Sequence, residues 1–387
     1  MKDDNKMMQV TAPGFRLAVF GAIFLLAVRL ASGAADGVKW NVAQPHYAWS
    51  FPQDHWARAG YKTEWWYFTG HLQAENGRRF GYQFTFFRIG VLPAAPALNS
   101  DWRANNAIMG HAAVSDLSAR EHRFSEVFYR AVPLLGGFGS YPDAVLAWSR
   151  GPAGTDADWR LLWNGEAFDF EMQDAEARFG FSLSTRPAKP LIFQGPNGWS
   201  RKGEGASAAS QYYSFTRLAT TGQVTIDGKT FRVTGQSWMD KEFGSNQLGK
   251  LQVGWDWFSL QLDDQREIML YLLRDQKGNI DFAGGTVVQP DSQVQFLSQD
   301  AFTVTVQERW KSANTSGVYP SRWVIAIPGE NVEVEVMPEM ADQENRSRLL
   351  PKLYYWEGAV IIRQDGQSIG KGYVELTGYG TSSRPAI

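Results

Sequence analysis

The 387-residue chain contains no cysteine. Disulfides, thiolate nucleophiles and cysteine-ligated zinc are therefore excluded, and so is a lipid anchor on an N-terminal cysteine. Histidine is scarce. The five residues His46, His55, His71, His111 and His122 all precede residue 123, and none is paired at the His-x-x-x-His spacing of a helical zinc site. No metal site is expected, and no histidine chemistry can come from the second half. Basic charge is not in excess: 38 Lys and Arg face 40 Asp and Glu, a net charge of −2. No basic field is available to displace counterions from phosphates, so no nucleic-acid partner is expected. There is no Gly-x-Ser-x-Gly elbow and no phosphate-loop pattern. Ser-His-Asp chemistry is unsupported, and no cofactor is expected.

Long apolar runs are also rare. Residues 17–28 follow Arg16 and are followed by Ala31-Ser32-Gly33-Ala34-Ala35. This is the length and order of a signal peptide ending near residue 35, and it is too short for an ordinary spanning helix. The expectation is an exported protein, periplasmic or secreted. It would meet a membrane only transiently, or through this segment if it stays uncleaved.

What the chain has is aromatic residues in alternating segments. There are 16 Trp, 14 Tyr and 24 Phe. Segments 64–72, 80–89, 224–226, 231–236, 255–262, 302–307, 323–327, 332–337 and 358–362 alternate and are bounded by Gly, Pro, Asn or Asp, as strands are. No long segment has clean helical periodicity, so the fold class is all-β. Residues 185–211 hold several Pro and Gly and read as a long ordered or functional loop.

One aromatic hairpin occurs twice. Trp65-Trp66-Tyr67-Phe68-Thr69-Gly70-His71-Leu72 and its return strand through Arg88 match Trp255-Asp256-Trp257-Phe258-Ser259-Leu260-Gln261-Leu262 and its return through Arg274. Asp227-Gly228 and Asp365-Gly366 mark a second matched hairpin late in each half. Two matched features in the same order indicate a duplicated β-unit. The division is a first β-domain over 40–236, a connecting segment over 237–250 and a second β-domain over 251–387.

Side chains alternate faces along a strand. One face of the hairpin reads aromatic, aromatic, hydroxyl, polar in both copies: Trp65, Tyr67, Thr69, His71 and Trp255, Trp257, Ser259, Gln261. The other face is apolar apart from Asp256. The mixed face is either a small-molecule pocket wall or a solvated surface. The best chemical segment is Trp238-Met239-Asp240-Lys241-Glu242. Asp240 and Glu242 share a face if extended, and among Trp rings one would be pushed toward its acid form; the alternative is a salt-bridged surface linker. Glu64 is a buried acid or a charged strand end. Asp256 is a partnered buried acid or marks an end open to solvent. Arg88 and Arg274 close a rim, pair with acids or hold an anionic group. The candidate site is Asp240 and Glu242 as general acids, with Glu64, Trp65, Trp66, Tyr67, His71, Trp238, Trp255, Asp256, Trp257 and Tyr271 as ligand contacts.

The blocks Tyr61-Lys62-Thr63-Glu64-Trp65-Trp66-Tyr67-Phe68-Thr69-Gly70-His71-Leu72, Ser237-Trp238-Met239-Asp240-Lys241-Glu242-Phe243-Gly244 and Gly372-Tyr373-Val374-Glu375-Leu376-Thr377-Gly378-Tyr379 resemble the AttH-like branch of the hydroxyneurosporene synthase (carotenoid 1,2-hydratase) superfamily. The resemblance implies two tandem lipocalin-like antiparallel β-barrel or sandwich units with a hydrophobic pocket. It also implies either of two roles. One is an exported binder of a hydrophobic, isoprenoid or lipid-like small molecule, serving ABC transporter components. The other is a hydratase or secreted hydrolase on the same scaffold. The hydratase pattern carries histidine where Lys241 stands and a Tyr-x-Asp where Met269-Leu270-Tyr271-Leu272 runs, so the carotenoid reaction itself is not implied. A third reading is a structural partner using its aromatic surface.

Overall fold

The computed structural model describes residues 39–380 apart from 206, 250, 351 and 352. The expected signal segment lies outside the described residues. Residues 40–380 lie in one compact unit, and it contains two antiparallel sheets with the same strand order around the repeated hairpin. In the first, the meander Thr63–Ala74, Arg79–Gly90, Asn106–Asp116, Glu121–Arg130 is joined along the edge of its first strand by the last strand of the sheet, Lys229–Gly244. Ala209–Ile226, Phe179–Pro187, Phe168–Asp174, Asp158–Trp163, Val145–Arg150 and Gly136–Phe138 follow in order. In the second, Gln252–Leu262, Glu267–Asp275, Ile280–Val288, Val294–Ser298 form the meander. The last strand, Gln367–Leu376, again pairs with the first, and Tyr354–Gln364, Val332–Pro338, Val318–Ile327 and Thr303–Lys311 follow.

The hairpin registers match as well. Trp66 faces Phe86 and Phe68 faces Phe84 in the first copy; Asp256 faces Leu272 and Phe258 faces Leu270 in the second. The matched turns Asp227-Gly228 and Asp365-Gly366 have φ of 51° and 76°, and 50° and 79°. Positive φ at both central residues makes two-residue turns that suit the strand twist. The chain is thus two tandem lipocalin-like units.

Each sheet rolls around its own apolar core. In the first, Val127 and Leu146, from opposite ends of the strand order, share one buried cluster with Trp66, Phe68, Phe84 and Phe170. In the second, Leu297 and Tyr319 share a cluster with Phe258, Leu260, Leu270 and Trp323. The apolar hairpin faces therefore point inward, and bulky side chains fill the interiors.

The mixed faces turn outward and meet each other. Tyr67, Tyr212 and Trp238 of the first unit and Trp257, Met269, Ala359 and Tyr373 of the second form a third buried cluster. The junction is tight and polar at its edges. A Cβ on Gly81 would lie 2.8 Å from Ala359 Cβ. Glu267 is paired with Arg217 at 2.6 Å and with Lys189 at 2.9 Å across the junction. His71 Nε2 bonds the Gly372 carbonyl at 2.8 Å. One boundary differs from the sequence expectation. Residues 237–244, assigned above to a connecting segment, complete the strand Lys229–Gly244 and pair on both sides, with Thr63–Ala74 and Ala209–Ile226. The alternation of this stretch is broken by Lys241 on the inward face, over Trp66, and by Trp238 on the outward one.

Candidate functional site

Between the two mixed faces lies a cleft of about 830 Å³, counting its open mouth. Its walls come from both units. Trp65 and Tyr67 from the first hairpin, Trp255 and Trp257 from the second, and Tyr271 on the return strand supply the rings. Tyr67 and Trp257 meet edge to face at 5.0 Å. Asp240 and Glu242 line one wall; Glu357 and Glu375, opposed on paired strands, line the other.

Asp240 is held by three donors. Ser214 Oγ and Trp238 Nε1 donate to Oδ1 at 2.5 and 2.7 Å, and the Tyr212 hydroxyl donates to Oδ2 at 2.6 Å. The donors are themselves oriented. Trp257 Nε1 donates to the Tyr212 oxygen at 3.3 Å, so the phenolic hydrogen is free to face Asp240. Gln194 Nε2 donates to Ser214 Oγ at 2.9 Å, with the same effect on the serine. Oδ1 thus has both acceptor positions filled and Oδ2 keeps one, so a proton on Asp240 sits on Oδ2. Burial pushes the Asp240 carboxyl up to about 7; the three donors pull it down, and the Glu242 charge adds a smaller push upward.

Glu242 differs because it has a cation. Lys202 Nζ is 2.9 Å from it, and Ser210 also donates to it. Lys202 lies over the Tyr212 and Tyr271 rings, 5.0 and 4.6 Å from their centroids. Glu357 and Glu375, the second unit's acids in the cleft, have no such partner among the described residues. Glu357 accepts the Tyr67 hydroxyl at 2.5 Å and Asn345 Nδ2 at 3.2 Å. Glu375 accepts Trp255 Nε1 at 3.1 Å. Burial, then the charge of Glu375, holds Glu357 well above the usual carboxylate range. Burial pushes Glu375 up to about 7, against the Trp255 N–H and with smaller pushes from Asp240 and Glu242.

Of the residues expected from the sequence, Trp65, Tyr67, Asp240, Glu242, Trp255, Trp257 and Tyr271 line the cleft. Trp238 stands behind Asp240 as its donor. Four others lie elsewhere. Glu64 is a fully buried acid paired with Arg88 at 2.7 Å and with Lys241, and Lys241 sits 3.6 Å over the Trp66 ring. Trp66 belongs to the first core, with Nε1 on the His55 carbonyl at 2.7 Å. Asp256, on the equivalent face, is a partnered buried acid bound to Arg274 at 2.8 Å and to the Tyr379 hydroxyl at 2.9 Å. His71 joins the units. Lys241 is therefore an interior residue, not a surface neutraliser, and Arg88 and Arg274 pair with acids.

Sequence reading missed Gln83, Lys202, Tyr212, Tyr355, Glu357 and Glu375 as cleft residues. Each acid sits in an otherwise apolar strand end, Tyr355-Trp356-Glu357 and Val374-Glu375-Leu376, and that lone charge was the available signal. Lys202 came from the Pro- and Gly-rich loop. Among the described residues no group of three or more His, Asp or Glu is placed to hold a metal ion.

Fold and cleft together define a class: two tandem lipocalin-like units with an acid-bearing aromatic site between them. The chain belongs to the AttH-like family, whose model matches residues 42–379. It is similar to the crystal structure of an AttH candidate from Nitrosomonas europaea, at 31% identity over 88% of this chain and 99% of that one, with a TM-score of 0.76. The kievitone hydratase of Nectria haematococca shares the fold at 14% identity over 88% and 96% of the two chains, with a TM-score of 0.62. None of the curated proteins matches the chain.

Proposed function

We propose that the inter-unit cleft binds an apolar or amphipathic small molecule and that Asp240 protonates it, as a hydro-lyase would. The observation that carries this reading is Asp240 itself: a buried carboxyl lining the cleft, poised near pH 7, with one acceptor position left on Oδ2. A general acid works best when its pKa is close to the working pH. In the forward direction the Oδ2 proton is delivered to one alkene carbon. The π electrons form the new C–H bond and leave a cation on the other carbon, faced by Trp255 and Trp257. Water attacks that carbon, and its surplus proton returns to the Asp240 carboxylate. The fold shared with a kievitone hydratase is compatible with this chemistry.

The test is incubation with a panel of isoprenoid alkenes in ¹⁸O-labelled water, read by mass spectrometry. Wild type should form a labelled alcohol and Asp240→Asn should not. Equal turnover by the two would remove Asp240 from the role. Binding without turnover is the second reading, favoured by the ring-lined walls. Trp255→Ala should then weaken ligand quenching of tryptophan fluorescence while no product forms.

Export, to the periplasm or beyond, is proposed on residues 17–35, and service to an ABC-type transporter on the resemblance. N-terminal sequencing of the protein from fractionated cells tests export, and copurification with transporter components tests the partner.

A further inference from the structure

The cleft carries more acid than its own cation can balance. Four carboxyl groups line it, and Lys202 is the single basic side chain among the described lining residues. Lys202 is committed to Glu242 at 2.9 Å. Asp240, Glu357 and Glu375 receive hydrogen bonds from Ser214, Tyr212, Trp238, Tyr67, Asn345 and Trp255, all neutral. A further acceptor points the same way. Gln83 is 1% exposed and lines the cleft; its amide nitrogen donates to Thr85 Oγ1 at 2.5 Å, and its Oε1 has no partner. An unpaired buried acceptor costs free energy that a bound donor would recover.

The rings around these acceptors are of the kind that hold cations. Trp255 shares Glu375 through its N–H, and Tyr67 shares Glu357 through its hydroxyl. Aromatic faces combined with carboxylates are the usual recognition device for ammonium groups. The protein already shows it once in this cleft, where Lys202 lies over Tyr212 and Tyr271 beside Glu242.

We infer that the cleft holds a positively charged ligand group of the ammonium class, seated at the Glu357–Glu375 pair between Trp255 and Tyr67, with the apolar part of the same ligand along Trp65 and Trp257. Two opposed carboxyls without a cation must keep protons, and a bound cation takes the place of those protons. Binding is therefore coupled to proton release. Around the pair are Asp240 and Glu242 from the first unit, Lys202 from the loop, and the phenols of Tyr67, Tyr212, Tyr355 and Tyr373. Burial raises those phenols well above 10, so they stay neutral. With Asp240 and Glu375 each near 7, the carboxylate charge falls as pH is lowered through neutrality. Cation affinity should fall with it. This inference does not depend on Asp240 acting as an acid. A protein that turns nothing over would still show it.

The experiment is a titration of intrinsic tryptophan fluorescence in the intact protein with three probes of one chain length, kept below their micellar concentrations: decyltrimethylammonium, decanol and decanoate. Near pH 8 the ammonium should bind at least about tenfold tighter than the alcohol, with decanoate weakest. The preference should shrink toward pH 6 and be lost in Glu375→Gln and Glu357→Gln. Calorimetry in two buffers of different ionisation enthalpy should show protons released by the ammonium alone. Equal or tighter binding of decanol to wild type overturns the inference whether or not the variants fold. An ammonium preference that survives both folded variants overturns the assignment to this pair.

Discussion

Removing the Glu64 carboxylate should destabilise the fold sharply while leaving the cleft as it is. Glu64 and Lys241 are both 0% exposed. The carboxylate accepts Arg88 Nε at 2.7 Å and the Arg58 amide at 2.9 Å in addition to the Lys241 ammonium. Burial alone would raise its pKa; the Lys241 and Arg88 charges outweigh that and hold it below the usual range. Glu64→Gln keeps the shape and leaves the Arg88 guanidinium buried without a counter-charge, while Lys241, which burial already lowers to about 7, gives up its proton. Breaking a buried pair in this way costs about 3–5 kcal/mol. At about 2.1 cal/mol/K per residue, a fold of this size unfolds with roughly 0.7 kcal/mol/K, so Tm should fall by about 4–7 °C. Lys241→Met should cost less, about 1–3 kcal/mol, because Arg88 still neutralises Glu64 and the methionine can keep the Trp66 contact. The double variant should lose less than the sum of the two, since no buried Lys241 amine is left without its partner; Arg88 keeps the Tyr61 carbonyl at 2.7 Å and Asn106 at 2.9 Å. Calorimetric scans of the four proteins at neutral pH measure the cycle. The depressed Glu64 carboxyl contributes fully above its unfolded pKa and loses its contribution as pH falls through the lower folded value, while Lys241, lowered by burial to about 7, makes stability rise with pH above that value. Additive losses, or a Glu64→Gln Tm within about 1 °C of wild type, would refute the account of a coupled buried pair.

Asp240 titrates in the opposite sense. Its folded pKa is raised, so its contribution is full below the unfolded pKa and lost as pH climbs toward about 7. Wild type should lose about 2–3 kcal/mol of stability from this group between about pH 5 and 8, and urea melts of Asp240→Asn should lack that part of the slope. Ser214→Ala removes a donor to the ionised form, so the Asp240 titration, followed by ¹³C NMR of the labelled carboxyl, should move up by about 0.5–1 unit; a downward shift would contradict the hydrogen-bond assignment. Gly81→Val presses a side chain onto Ala359 and Tyr373 across the junction and should cost about 1–3 kcal/mol in denaturant melts; a neutral result would mean that the units are not packed this closely. Glu267→Gln leaves Arg217 and Lys189 without their shared acid and should cost about 3–5 kcal/mol in the same assay.

Much of the fold was readable because it is local. Period-two alternation marked both aromatic hairpins, and Asp-Gly pairs marked the turns that adopt positive φ. The apolar face also went where its composition pointed, with Phe68 and Phe258 in the cores, while the burial of Tyr67 and Trp257 at a junction was set only by the packing of the units. Glu64, Trp66 and Asp256 show the limit. A carboxylate beside tryptophans has the same local sequence whether it faces a cleft or an arginine on the next strand, and only the partner decides which. Trp66 also sits one residue from Trp65 yet points to the opposite face.

The sequence by itself determined the strands, their duplication and which hairpin face is apolar, since these depend on residues a few positions apart. It also singled out Asp240 and Glu242 as acids on one face. The tertiary structure alone decided that the two mixed faces meet and that the interiors are filled. It also brought Glu357 and Glu375 to the cleft that Asp240 lines, from more than a hundred residues away in the chain. No pattern along a strand encodes which surface another unit will cover, because that depends on the shape of both units once each has closed on its core.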